Sequence, residues 1–209
     1  MNQTRKNPLR PDIDWSNEKI MFILAGCNGA GKTTAFKNGL YEILGRPEFV
    51  NSDEIARDLC PEDVDSVQAK AGRFAVRSIH AHLAGDKNFC VETTLATRTF
   101  QGHIREAHKN GFKVALFYYW LESPDLAVAR VEERVNEGGH NVPEKIVRHR
   151  YDMGIRYLSK LYMPKVDYWQ VIDSGGYGEP EVIASSYIVV NHPDRFNELL
   201  HYGEDNQNR

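Results

Sequence analysis

Gly26-Cys27-Asn28-Gly29-Ala30-Gly31-Lys32-Thr33 is the stretch that decides the fold of this 209-residue chain. It matches the pattern G-x-x-x-x-G-K-[ST] at every fixed position. Residues 20–25 before it are all apolar, as in a strand that is buried on both faces. Residues 34–44 after it repeat apolar side chains at helical spacing. A strand, a glycine-rich turn and a helix in this order are typical of a phosphate-binding loop.

The residue types in this loop suit the binding of a nucleotide phosphate. Glycines let the backbone curl so that consecutive N–H groups point at phosphate oxygens, and the helix N-terminus adds the positive end of its dipole. Lys32 can reach the β- and γ-phosphates, and the Thr33 hydroxyl can ligate Mg²⁺. The residues predicted to contact the nucleotide are Gly26, Asn28, Gly29, Ala30, Gly31, Lys32, Thr33 and Thr34.

Composition narrows the possible classes of protein. The chain is 41% hydrophobic and 26% charged, which is typical of a globular protein. Its net charge of −3 disfavours nucleic acid as a partner. Three cysteines are an odd and sparse set, which predicts free thiols in the cytoplasm. No apolar run is long enough to cross a membrane, so we expect no membrane partner.

Strand and helix patterns alternate along the chain and predict an α/β fold with a mainly parallel central sheet of about five strands. Predicted strands cover residues 20–25, 48–51, 88–91, 113–121 and 166–173, with a weaker candidate at 185–190. Predicted helices cover residues 34–44, 64–84, 98–109, 143–163 and 193–201, and two more begin near residues 52 and 124. We expect an N-terminal arm (1–19), one domain (20–192) and a C-terminal helix and tail (193–209).

Polar residues at the predicted strand ends are candidates for the site, because ligands gather at the carboxyl ends of parallel strands. Asp53 can accept a proton from a substrate hydroxyl, or it can cap the next helix. Glu92 can hold a Mg²⁺-bound water or a substrate hydroxyl, and Thr93 and Thr94 add hydroxyls at the same edge. The alternative for these three is an ordinary polar turn. Arg98 opens the predicted helix 98–109 and either binds an anion or faces solvent.

Four arginines flank the glycine-rich segment 138–140, and this arrangement predicts a mobile lid over about residues 130–150. Closing it would bring guanidinium groups onto a transferring phosphoryl group and exclude water. The alternative is a pair of solvated helix faces. Arg134, Arg148 and Arg150 lie nearest the hinge and are the predicted lid arginines, whereas Arg130 is farther from it.

Several segments in a fixed order resemble the zeta-toxin family of bacterial, chromosomally encoded proteins. They are GAGKTT (29–34), NSDEIA (51–56), ETTL (92–95), SPDLAVARV (123–131), GGHNVP (138–143) and RHRY (148–151). The resemblance covers roughly residues 20–183. It implies a three-layer P-loop NTPase fold with a helical lid, ATP and Mg²⁺ as ligands, and a separate antitoxin protein as a possible partner.

The resemblance also implies an activity and residue roles. Members transfer the ATP γ-phosphoryl group to a hydroxyl, in better-studied cases the sugar hydroxyl of UDP-N-acetylglucosamine. It implies that Lys32 is catalytic, that Asp53 is the general base and substrate contact, and that Thr33 and Glu92 lie at the metal. Glu92, Thr93, Thr94, Arg98 and Arg148 are the other predicted substrate contacts, and Arg134 and Arg150 are the predicted catalytic lid arginines.

Other classes of protein fit the same loop. A 5′-hydroxyl nucleic-acid or nucleoside kinase would need aromatic side chains for stacking, and Tyr118, Tyr119 and Trp120 form such a run. That run is more simply explained as a buried strand. A P-loop ATPase or a nucleotide-binding module without acceptor chemistry would keep the loop and lack phosphoryl transfer.

Overall fold

The computed structural model describes residues 17–175, 180–186 and 190–205. Most of the predicted N-terminal arm and the end of the predicted C-terminal tail lie outside these residues. Six strands form one sheet in the order β2-β3-β1-β4-β5-β6. In chain order the strands are β1 (Lys19–Ala25), β2 (Glu48–Val50), β3 (Phe89–Thr93), β4 (Phe112–Trp120), β5 (Tyr168–Asp173) and β6 (Glu181–Ser185).

Helices occupy the connections between the strands. They are α1 (Lys32–Ala35), α2 (Tyr41–Ile43), α3 (Ser52–Leu59), α4 (Val64–Leu83), α5 (Gln101–Lys109), α6 (Pro124–Asn136), α7 (Glu144–Tyr157) and α8 (Pro193–Asp205). The π-helical turn Phe36–Leu40 joins α1 to α2, and the π-helical turn Leu158–Tyr162 and the 3₁₀ turn Met163–Lys165 follow α7. Among the described residues, no helix is both long and apolar enough to cross a membrane.

The sheet confirms the predicted fold class. β2, β3, β1, β4 and β5 pair in parallel, and β6 joins β5 antiparallel. The connection from β1 to β2 runs in the opposite direction across the sheet from the later parallel connections. Because such crossovers are right-handed, its helices cover the opposite face, which gives three layers. β4 lies between β1 and β5 and is buried along almost its whole length, as its apolar sequence predicts.

The sixth strand lies earlier in the chain than the weak candidate at 185–190. β6 covers Glu181–Ser185, where Val182, Ile183 and Ala184 are buried against the sheet. Residues 187–189 of the predicted strand lie outside the described part of the chain. Within the described residues, β6 overlaps the candidate only at Ser185. The start was misplaced because a short apolar run at a sheet edge carries little periodic signal.

Three further boundaries differ from prediction. The predicted helix 34–44 is broken where Gly39 has a φ of 135°, a backbone conformation that glycine adopts without strain. β3 extends to Thr93 because its pairing with β1 continues to the partners Ala25 and Thr93. α5 begins at Gln101, so Arg98 precedes the helix that it was predicted to open.

Candidate active site

The phosphate loop connects β1 to α1 and depends on its glycines. Gly26, Gly29 and Gly31 have φ values of 138°, 81° and 77°, which disfavour any side chain. A Cβ at Gly26 would lie 2.3 Å from the carbonyl oxygen of Tyr119, and one at Gly29 would lie 2.7 Å from that of Ala127. The loop is thus pressed between the end of β4 and the start of α6.

Lys32 is buried at the centre of this loop, with only 6% of its surface exposed. Its Nζ donates a hydrogen bond to the carbonyl oxygen of Cys27 at 2.9 Å and lies 3.6 Å from Oε1 of Glu92. A buried ammonium group needs such partners, because an unpaired charge in the interior is costly. Burial raises the pKa of the Cys27 thiol to about 11, so this neighbour is uncharged at pH 7.

Glu92, near the end of β3, contacts polar residues that follow the ends of β1 and β2. Its Oε2 accepts a hydrogen bond from Oγ1 of Thr33 at 2.7 Å and another from Nδ2 of Asn51 at 2.9 Å. Glu92 is placed there because β3 runs beside β1, where Leu24 and Glu92 are paired residues. A carboxylate and a hydroxyl in contact are oxygen ligands of the type that Mg²⁺ prefers, so Thr33 and Glu92 fit that ion.

Asp53 lies in the first turn of α3 with its side chain half-buried. Asp53 does not cap this helix, which was one of its two predicted roles. Asn51 is the cap, since its Oδ1 accepts hydrogen bonds from the backbone N–H groups of Asp53 at 2.8 Å and Glu54 at 3.4 Å. The Asp53 carboxylate is therefore not used as the helix cap.

A cleft with a volume of about 1710 Å³ lies above the phosphate loop. The structure brings most of the predicted site residues to its walls. These are Asn28, Gly29, Ala30, Gly31, Lys32, Thr33, Thr34, Asp53, Glu92 and Arg134. Gly26, the first residue of the loop, does not line the cleft. Its lack of a side chain allows the close contact with Tyr119.

α6 supplies two arginines to the cleft, Arg130 and Arg134. Nη2 of Arg134 donates to the carbonyl oxygen of His140 at 2.7 Å, and the N–H of Gly139 donates to the carbonyl oxygen of Arg134 at 2.8 Å. The glycine-rich segment is therefore folded back onto α6. Nε2 of His140 lies 3.5 Å from Oδ1 of Asp65 on α4, so this segment reaches across to the far wall of the cleft.

The arginines of α7 separate into two environments. Nη1 of Arg150 donates to Oδ1 of Asn28 at 3.0 Å, which links α7 to the phosphate loop. Arg148 does not line the cleft. Its guanidinium group forms ion pairs with Asp125 and Glu144, both at 2.7 Å, on an exposed surface.

The remaining predicted contacts also lie away from the cleft walls. Arg98 is exposed, and its guanidinium group lies over the ring of Tyr157 at 5.5 Å from the centroid. Oγ1 of Thr93 accepts a hydrogen bond from the N–H of Leu95 at 3.2 Å. Thr94 is half-buried and is not part of the cleft wall. Thr93 is paired with Ala25, just before the phosphate loop, but none of these three residues lines the cleft. Their role as substrate contacts stays a prediction.

Sequence reasoning missed three residues that shape the site. Asn51 joins Glu92 to α3, and Arg130 lines the cleft. Oγ of Ser174 lies 3.0 Å from the carbonyl oxygens of both Ala30 and Trp120, either of which can accept its one hydroxyl proton. Asn51 carries a readable signal, because asparagine directly before a helix is a preferred cap. Arg130 shares a helix face with Arg134, four residues later.

Comparison with known proteins shows which family this chain belongs to. A family model described as an AAA domain matches residues 21–154. The chain belongs to this AAA domain family. An uncharacterized protein of Haemophilus influenzae is 30% identical over 139 residues, which is 66% of this chain and 96% of that protein.

Solved structures share the fold at low sequence identity. The AvrRxo1-ORF1:-ORF2 complex with ATP superposes with a TM-score of 0.70 and 16% identity, over 88% of this chain and 64% of that one. The PezAT chromosomal toxin-antitoxin system of Streptococcus pneumoniae gives a TM-score of 0.61 and 20% identity, over 92% and 87%. The chain spans less than two thirds of the first of these proteins. Together with the phosphate loop, these similarities show a P-loop kinase-like fold.

Proposed function

We propose that this protein is a kinase that transfers the γ-phosphoryl group of ATP to a hydroxyl of a small molecule. The observation that carries the proposal is the arrangement of Asp53 and Glu92. Both lie at the carboxyl ends of strands, both line the cleft above the phosphate loop, and Asn51 contacts them both. A module that only binds the nucleotide has no need of a second carboxylate in the cleft.

The phosphate loop holds the donor in this proposal. Its backbone N–H groups and Lys32 bind the phosphate oxygens of ATP, and Thr33 and Glu92 hold Mg²⁺. When bound, Mg²⁺ neutralises charge on the phosphate oxygens. Arg150 steadies the loop through its hydrogen bond to Asn28, and Arg134 adds positive charge from the opposite wall.

Asp53 deprotonates the acceptor. The acceptor oxygen forms a bond to the γ-phosphorus, the bond from phosphorus to the bridging oxygen of ADP breaks, and the hydroxyl proton moves to the Asp53 carboxylate. Arg134 compensates the charge that spreads over the transferring phosphoryl group. Lys32, already buried and paired with Glu92, lowers the cost of bringing phosphate charge to the loop.

We propose a nucleotide-sugar such as UDP-N-acetylglucosamine as the acceptor. Sites for single small ligands have volumes of roughly 300–1,000 Å³. The cleft, at about 1710 Å³, has room for ATP and a second large ligand. The zeta-toxin resemblance supports this acceptor, and the fold shared with the PezAT toxin-antitoxin system supports a separate antitoxin partner. Free Cys27, Cys60 and Cys90 support a cytoplasmic location.

The test is incubation of the protein with ATP, Mg²⁺ and a panel of metabolites that includes nucleotide-sugars, read by a mass gain of one phosphate. We expect Asp53→Asn to reduce transfer by about 10²–10⁴-fold and to leave ATP binding nearly unchanged. Lys32→Ala, which removes the ammonium group proposed to bind the phosphates, is the negative control. Full transfer by Asp53→Asn would show that Asp53 is not the base.

Two outcomes would favour the other classes. Phosphorylation of a 5′-hydroxyl oligonucleotide would indicate a nucleic-acid kinase, although Tyr118, Tyr119 and Trp120 are at most 2% exposed and offer no stacking surface. Steady ATP hydrolysis with no phosphorylated acceptor would indicate an ATPase.

A further inference from the structure

A cluster of two histidines and one glutamate lies between α4 and α5, apart from the cleft. His80 comes from α4, and His103 and Glu106 come from α5. None of the three lines the cleft, and the proposed kinase reaction uses none of them. The cluster therefore needs an explanation of its own.

The two helices preassemble the cluster. His103 and Glu106 are three residues apart on α5, so their side chains share one face of that helix. Nδ1 of His80 lies 2.9 Å from Oε2 of Glu106 and 3.0 Å from Oε1. One ligand atom from each residue lies within 4.8 Å of the other two.

The surroundings orient His103 for a further ligand. Its ring meets the rings of Phe100 and His80 edge-on, each at a centroid distance of 5.3 Å. Neutral imidazole nitrogen and carboxylate oxygen are the forms that bind metal ions.

We propose that His80, His103 and Glu106 form a binding site for Zn²⁺. Two imidazoles and one carboxylate are a known zinc ligand set that leaves the fourth tetrahedral position to water. Bonds of 2.0–2.2 Å in a tetrahedron separate ligand atoms by about 3.3 Å. The cluster reaches that spacing through side-chain rotation, since its atoms are already within 4.8 Å.

A metal ion here would connect α4 to α5. An exposed histidine–carboxylate pair contributes little to stability, and the side chains of His80 and Glu106 are 50% and 35% exposed. A ligand that binds the folded chain and not the unfolded chain raises the free energy of unfolding by RT ln(1 + [L]/Kd). Zn²⁺ is therefore expected to raise the melting temperature.

The experiment is a titration of the untagged, metal-free full chain with Zn²⁺, followed by calorimetry and by thermal unfolding. We expect one equivalent to bind and the melting temperature to rise. Glu106→Gln keeps the size of the side chain, and His103→Ala removes a ligand. Each should weaken Zn²⁺ binding by about 100-fold or more, and each should lose the rise in melting temperature.

His108→Ala is the matched control, because His108 lies on the same helix and also pairs with a carboxylate, that of Asp167. It should bind Zn²⁺ as the unaltered chain does. Unfolding curves without metal show that each variant is folded before its binding is compared. Absence of saturable binding to the unaltered chain, or equal binding by Glu106→Gln and His103→Ala, would overturn the proposal.

Discussion

Asn51 offers the sharpest test of how the site is held together, because one side chain serves two elements. Its Oδ1 caps α3 and its Nδ2 donates to Glu92, and the residue is only 5% exposed. Loss of an asparagine cap costs about 1 kcal/mol, and loss of a hydrogen bond to a charged group costs about 1.5–3 kcal/mol. Asn51→Ala should therefore lower the free energy of unfolding by about 3 kcal/mol, which for a domain of this size lowers the melting temperature by roughly 6–12 °C.

Asn51→Asp separates the two roles. Aspartate caps a helix as well as asparagine does, but its carboxylate cannot donate to Glu92 and would lie against it. Like charges at this distance disfavour double ionisation, so one of the two carboxylates would titrate at a higher pH.

We expect Asn51→Asp to show phosphoryl transfer with a pH profile shifted upward. The measurements are urea unfolding and initial rates from pH 5 to pH 9. Equal stability of Asn51→Ala and the unaltered chain, or an unshifted profile for Asn51→Asp, would refute the reasoning.

Three further predictions concern the loop, its thiol and the half-buried carboxylate of Asp167. Gly26→Ala should abolish ATP binding, measured by fluorescence titration, because its Cβ would lie 2.3 Å from the Tyr119 carbonyl oxygen. Iodoacetamide at pH 8 should label half-buried Cys60 and spare buried Cys27, whose pKa burial raises to about 11. Peptide mass mapping identifies the labelled cysteine, and labelling of Cys27 would contradict this prediction. Burial raises the pKa of Asp167, but hydrogen bonds from a backbone N–H and a histidine outweigh it and hold this pKa below its ordinary value. Its stabilisation is thus present above the unfolded-state pKa and lost as pH falls through the folded-state pKa, so Asp167→Asn should cost about 1 kcal/mol at pH 7 and nothing at low pH, measured by urea unfolding.

The succession of strands and helices along the chain and the position of the site could be predicted from sequence because both rest on strong local signals. The apolar run before Gly26 and the glycine pattern itself define β1, the loop and the start of α1. The rule for carboxyl ends of parallel strands then selects Asp53 and Glu92, and both line the cleft. These predictions require only that the strands run parallel, so that their carboxyl ends lie at one edge of the sheet.

The contacts within the site could not be predicted in the same way. The pairing of Glu92 with Thr33 and Asn51 depends on the order β2-β3-β1, which no local pattern specifies. The break at Gly39 is a choice between helix and positive φ that glycine allows equally well. Both outcomes are set by packing between distant segments.

For the arginines, position on a helix face predicts the cleft residues better than closeness to the hinge in sequence. Choosing the residues nearest the hinge selects Arg148, which the structure places on an exposed surface beside Asp125. An α-helix turns about 100° per residue, so Arg148 and Arg150 point about 200° apart and only one of them can face the cleft. Arg130 and Arg134 are four residues apart and face the same way, and both line it. The helix-face rule therefore favours Arg130 and Arg134 on α6, whereas Arg150 on α7 reaches the site through its hydrogen bond to Asn28. The rule makes Arg130→Ala more damaging to phosphoryl transfer than Arg148→Ala, and equal rates for the two variants would contradict it.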